Sequence, residues 1–255
     1  MLNESKARKI LEFALANSKA EQTQAIFYVK DLATTRFAKN YIHQNVSGYE
    51  ARLWVKAVLG KKTASASTNN LSDTSILDTV SRATELARIQ SESPHFVSLP
   101  GPSPIRKAEA FIERTAEYTP EKRARDVGII CSKSREKGLE ASGAFSTGSI
   151  QIIIANCLGL FASHHSTLAD ITSVVISDSS SGYAEHCSLD VGEIDMEAVA
   201  GEAIDKAIRS KNPVSVKPGD YEVILEDYAV GDILSFLGYL GFSAQALQEG
   251  RSFMT

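Results

Sequence analysis

The chain has 255 residues, is 43% hydrophobic and 23% charged, and carries a formal net charge of −4 with a pI near 5.8. That length fits one large domain or two ordinary ones, with enough apolar content for a real core. The slightly acidic balance argues against direct nucleic-acid binding, which favours a basic excess. No window reaches the roughly 18 apolar residues of a membrane span, and the charged, amphipathic N-terminus lacks a signal-peptide core. Cys131, Cys157 and Cys187 are an odd number at wide spacing. They are expected as free thiols in a reducing compartment, which makes the cytoplasm the expected location. The sequon at Asn45 is then a chance match.

In chain order, residues 6–17 place Ile10, Leu11, Ala14 and Leu15 on one face and predict a helix. Residues 24–30, 34–38, 42–58 and 61–68 alternate and are rich in β-branched side chains, the pattern of an antiparallel meander. Asn69 and Asn70 mark a turn. Ser72 or Asp73 then caps a helix to about Gln90, with Ile76, Leu77, Val80, Ala83, Leu86 and Ala87 on its inner face. Residues 93–104 hold four of the seven prolines and predict a linker, since proline fixes φ and removes a donor.

The order then repeats. A helix over 120–137 precedes strands over 139–146, 150–155 and 160–177. A turn-rich piece over 178–190 leads to a helix over 195–209 capped by Asp195. The predicted organisation is an αβα subdomain at 1–92, a linker at 93–105, a second αβα subdomain at 106–216, and a strand plus apolar helix within 217–255. A faint echo links Phe37 to Asn45 with Phe145 to Ile152.

Three patches carry a family likeness. The first is Phe37-x-x-Asn40-x-Ile42-His43-Gln44-Asn45 with the polar run from Thr63 to Ser72. The second comprises Gly143-Ala144-Phe145, then Ala155 to Leu160, then Ala162 to Thr167. The third runs from Tyr221 to Glu226 and through Gly250-Arg251-Ser252-Phe253. In their order and spacing the chain resembles the TldD/PmbA family, the metallopeptidases once called modulators of DNA gyrase.

The resemblance implies an α/β (α+β) fold of two similar subdomains, mostly antiparallel sheet with packed helices. It also implies that the chain stops at Thr255, before the family's C-terminal domain. In the TldD branch the segment after Val223 carries the zinc motif H-E-x-x-x-H. Aligned without a gap, its His positions fall on Ser235 and Leu240 and its Glu on Phe236. A hydroxyl, an isobutyl group and a phenyl ring supply neither a ligand set nor a general base. The chain is therefore identified with the TldE/PmbA side, with no cofactor of its own and zinc expected only in a TldD-type partner. The implied partners are that homologue or a second copy, with unfolded peptides as substrate and no nucleic acid or membrane. The resemblance further implies proteolysis and peptide maturation as the setting.

The residues themselves offer few sites. Asp227 and Asp232 in the apolar helix have no histidine nearby and fit a solvated N-terminus. His164 and His165, if on a strand, point to opposite faces and cannot chelate one ion together. The same alternation applies to His186 and Cys187. His43 beside Asn40 and Asn45 is expected to be a hydrogen-bonded structural histidine. Gly60-Lys61-Lys62-Thr63 lacks the phosphate-loop pattern and predicts a hairpin turn. Gly143 to Gly148 has its serine one place late for a nucleophile elbow. The remaining candidates for peptide contact or an interface are Asn69, Asn70, His164, His165 and Arg251. At Arg251 an interface carboxylate and a local ion pair are both compatible with the sequence. A rival reading makes the chain a non-enzymatic binding module that captures unfolded peptide or a gyrase-related partner by strand addition to a sheet edge.

Overall fold

In a computed structural model, residues 4–254 are described. The first three residues of the expected N-terminal subdomain and Thr255 lie outside them. The chain divides into two compact units, 1–213 and 214–255.

The first unit is one six-stranded antiparallel sheet in the order β3-β2-β1-β4-β5-β6. Its strands are β1 (Gln22–Ala38), β2 (Tyr41–Leu59), β3 (Lys62–Thr68), β4 (Glu140–Asn156), β5 (Phe161–Ile176) and β6 (Ser181–Ser188). Each half of the unit contributes three strands, and β1 pairs with β4 at the seam from Gln24↔Asn156 to Phe37↔Gly143. The pieces predicted at 24–30 and 34–38 join into β1, and those at 139–146 and 150–155 join into β4. Both strands are central, so a ladder on each side carries the backbone through the intervening polar residues. The echo between Phe37–Asn45 and Phe145–Ile152 sets the β1–β2 turn against the middle of β4, so its positions are not equivalent in the fold.

Helices pack on one face. In β1 the alternation puts Ala25, Phe27 and Val29 inside, and in β2 Leu53, Val55 and Ala57. Helix α1 (Glu4–Ala16) buries Ala7, Leu11 and Ala14 against them, and α2 (Asp73–Ile89) buries Ile76, Val80, Ala83 and Ala87. The expected cap Ser72 accepts from the Ser75 amide. Burying a side chain such as Phe27 stabilises by about 1.5–3 kcal/mol. A second cluster joins Phe145, Ile171 and Val175 to α4 (Pro120–Glu136) and α5 (Met196–Arg209). Thr119 caps α4 and Asp195 caps α5, each accepting from backbone amides of the first turn. The proline-rich linker extends past its expected end at 105 to Ile112, with neither helix nor ladder, and a short helix, α3 (Glu113–Ala116), follows it.

Strand β6 lies where the sequence predicted only turns. Its buried positions, Gly182 and Ala184, are small where α5 packs on it, and a Cβ on Gly182 would collide with the Ala203 carbonyl oxygen. Composition chosen for close approach hides the usual β-branched signal.

The second unit contains α6 (Asp227–Gly241) and α7 (Ala244–Gln248). The strand expected over 221–226 does not form. Among the described residues no strand pairs with them, and Ile224 is 99% exposed. Alternation alone cannot make a strand without a neighbour to accept its amides. Within the unit, the Ser252 hydroxyl donates to the Gly241 carbonyl, and the Phe242 and Phe253 rings meet edge to face.

Candidate functional site

A groove of about 1040 Å³ lies between the linker and β5. It exists because β6 pairs only with Ala169 to Ile176, which leaves the earlier part of β5 without a strand beside it. The linker touches this edge once, in a parallel bridge of Ala110 with Ser166, where the Thr167 amide donates to the Ala110 carbonyl at 2.9 Å. The Ile112 amide adds a bond to the Thr167 hydroxyl at 3.1 Å. Upstream of Ala110 the linker stands away from the strand, and the groove lies between them.

Both predicted histidines line it. His164 pairs across the sheet with Ile152 and is exposed, whereas His165 pairs with Gln151 and is half-buried. They point to opposite faces, as strand geometry requires. The Phe111 ring stacks on the His165 imidazole at 4.1 Å between centroids. Burial, then the neighbouring His164, pushes the His165 imidazole below its ordinary value of 6.5. Its Nε2 is buried without a hydrogen-bond partner among the described residues. That combination favours the neutral form of the ring.

At one end of the groove the Arg8 guanidinium lies 3.5 Å over the Phe161 ring. Ile152 and Ile154 supply apolar wall from β4, and Arg106, Lys107, Glu4 and Glu109 supply charge. Phe111, Phe161 and Arg8 were not singled out from the sequence. Only the fold brings the linker, α1 and β5 together, and no local motif marks them.

The other candidates are elsewhere. Asn69 and Asn70 are exposed between β3 and α2, where the Asn70 side-chain carbonyl accepts from the Ser72 amide at 3.0 Å. They do not line the groove. Arg251 pairs with Glu249 two residues away, with Nε to carboxylate at 2.8 Å. His43 is exposed on β2, and the hydrogen bonds of this region belong to its neighbours. Asn40 bridges to Leu139 and Ala141, and Asn45 accepts from Thr35. His186 and Cys187 are exposed on β6, and the three cysteines are free. Gly60 turns the β2–β3 hairpin at φ +59°.

A buried cation emerges only from the fold. Arg123 of α4 is 1% exposed and donates to Thr35 and Thr147 hydroxyls, the Tyr118 carbonyl and the Asn45 amide oxygen. No carboxylate is among these acceptors, and burial pushes its pKa down. It pegs α4 to β1, β2 and β4.

Among the described residues no group of three or more His, Cys, Asp or Glu is placed to hold a metal ion. Ser235, Phe236 and Leu240 lie on α6, all exposed. Their side chains do not fit a zinc site, because only Ser235 among them carries a donor atom. No helix among the described residues is long and apolar enough to cross a membrane.

Two family profiles match the chain: "PmbA/TldA metallopeptidase domain 1" over residues 26–87 and "PmbA/TldA metallopeptidase central domain" over residues 102–211. No curated protein matches it. Among solved structures it is similar to TldE from Thermococcus kodakarensis, with 15% identity and a TM-score of 0.70, covering 79% of this chain and 47% of that one. It is also similar to two proteins described as candidate DNA gyrase modulators. The one from Thermotoga maritima has 16% identity and a TM-score of 0.80, covering 95% of this chain and 57% of that one. The one from Bacteroides thetaiotaomicron has 15% identity and a TM-score of 0.79, covering 100% and 61%. The chain thus spans about half to three-fifths of the length of these structures, and at such identity the likeness establishes the fold.

Proposed function

The chain belongs to the PmbA/TldD metallopeptidase family, and we propose that within it the chain serves as the TldE/PmbA-like component of a TldD-type peptidase system. The carrying observation is the side-chain chemistry of α6. In the gap-free alignment that the resemblance implies, Ser235, Phe236 and Leu240 of this chain fall on the two histidine positions and the glutamate position of the metal-bearing branch. No step of peptide hydrolysis is assigned to this chain's residues. Its contribution is surface that binds and orients extended peptide for a zinc site carried by a longer homologue or by another copy. The exposed Phe236, Tyr239 and Leu240 on α6 support a role in association, since exposed apolar patches mark interaction surfaces.

The test is reconstitution. The purified chain, a homologue bearing H-E-x-x-x-H, and their mixture are assayed on an unfolded peptide. Supportive data are co-elution of the two proteins and cleavage by the mixture that exceeds the homologue alone. Full activity of the homologue alone, with no co-elution, would refute the assignment.

A binding module without any peptidase partner is the second reading, favoured by the free edge of β5. Peptide binding by the chain together with a lack of association in that assay would select it.

A further inference from the structure

We propose that the first half of β5 is a strand-addition site, at which an extended peptide pairs with the backbone of Phe161, Ser163 and His165 inside the groove beneath the linker. The inference deepens the peptide-handling reading above and rests on it for the choice of ligand.

The backbone argument comes first. β5 pairs with β4 from Phe161 to Ile176 without a register shift. In such a ladder alternate residues turn their N–H and C=O away from the neighbour. The Thr167 amide faces outward, because it donates to Ala110 on the far side. Residues of the same parity, Phe161, Ser163 and His165, therefore face outward too. They have no backbone partner among the described residues. An unpaired edge of this kind is a template for another strand. The bridge at Ala110 shows that this edge already accepts a strand-like segment one step further on.

Side chains decide what strand fits. At about 3.3 Å per residue, the open stretch takes roughly five residues of extended chain. Alternate side chains of that peptide meet two surfaces. One is formed by Phe161, Phe111 and His165, the other by Ala162 with Ile152 and Ile154 behind it. Phe161 and Phe111 give the first surface apolar contact, and Ile152 and Ile154 the second, beside the polar Ser163 and His164. The edge therefore favours peptides with apolar residues in alternation, whereas backbone pairing is indifferent to their identity. Arg106 and Lys107 bring positive charge to the groove and Glu4 and Glu109 negative charge. Competition from the linker itself is the main alternative, because residues upstream of Ala110 line the facing side of the groove.

The experiment uses the full chain and a fluorescein-labelled octapeptide alternating Val and Thr. Anisotropy measures binding, and amide hydrogen exchange is followed at Phe161, Ser163 and His165. Expected are saturable binding and slowed exchange at these three amides. A peptide N-methylated at alternate positions on one edge should bind at least ~10-fold more weakly, and methylation on the other edge should have little effect. Ser163→Pro removes an outward N–H and no ladder bond, so an edge position tolerates it. It too should weaken binding about tenfold. If that variant fails to fold, the methylated peptides on the unaltered chain decide alone. The proposal is overturned by no binding, by equal affinity of both methylated peptides, or by amides already protected in the free protein because the linker closes the edge. None of these outcomes bears on whether the chain associates with a metal-bearing homologue, so the two readings fail separately.

Discussion

Helices α5 and α6 are nearly equal in length and both carry many apolar residues, yet they meet opposite fates. α5 buries Met196, Val199, Ala200, Ala203, Ile204 and Ala207, spaced by three and four along a single stripe. α6 buries only Gly241. Val230, Ile233, Leu234 and Leu237 form one face of α6, and Phe236, Tyr239 and Leu240 extend it to roughly 220° of the circumference. One neighbouring layer satisfies a stripe, whereas an arc that wide needs cover from more than one side. Apolar content thus says that a helix is to be covered, and its angular spread says by how many surfaces.

The sharpest way to break this contrast is to disturb the packed unit at its least replaceable point. Arg123→Ala removes four hydrogen bonds and leaves buried acceptors without donors. It should cost at least ~3 kcal/mol in urea unfolding. A loss under about 1 kcal/mol would show that Arg123 is not the peg described here.

Paired truncations of aromatic residues come next. Phe145→Ala opens a cavity in the core and should cost about 3–5 kcal/mol. Phe236→Ala on α6 should stay within about 0.5 kcal/mol and lower the binding of a dye for apolar surface. Equal costs at the two sites would mean that α6 is packed in solution.

Smaller effects sharpen the picture at the helix ends and the groove. Asp195→Ala removes the cap that accepts from the Glu197 and Ala198 amides and should cost about 1 kcal/mol. His165 has its pKa lowered by burial, so the folded chain binds its proton less readily than the unfolded chain. Its contribution is complete above the unfolded value of about 6.5 and is lost as pH falls through the lower folded value. The thermal midpoint should therefore drop as acidification passes through that window. Replacing His165 with Asn should flatten the drop, and an unchanged slope would show that another group titrates.

The four long helices of the first unit were legible because their own residues carry the signals, whereas the one-turn α3, without a side-chain cap, was not read. Ser72, Thr119 and Asp195 cap them, and three-four spacing marks their inner faces. Strands in the centre of the sheet were legible as alternation, although their continuity depends on neighbours that local sequence does not show. β6 was hidden by the small residues that let α5 approach. Residues 221–226 erred the other way, with the pattern of a strand and no second strand beside them among the described residues. The histidine pair of the groove could be found by inspection. Phe111, Phe161 and Arg8 could not, because their meeting depends on where the linker crosses β5. Arg123 was equally silent, since nothing in its local sequence distinguishes a buried arginine from a solvated one.

Metal content of the purified chain bears most directly on the central claim that α6 leaves this protein without a zinc site of its own. After exposure to Zn²⁺ and gel filtration, elemental analysis should find far less than one equivalent, and a chelator should leave peptide processing by the isolated chain unchanged at background. Stoichiometric zinc that survives filtration, together with cleavage abolished by the chelator, would contradict it.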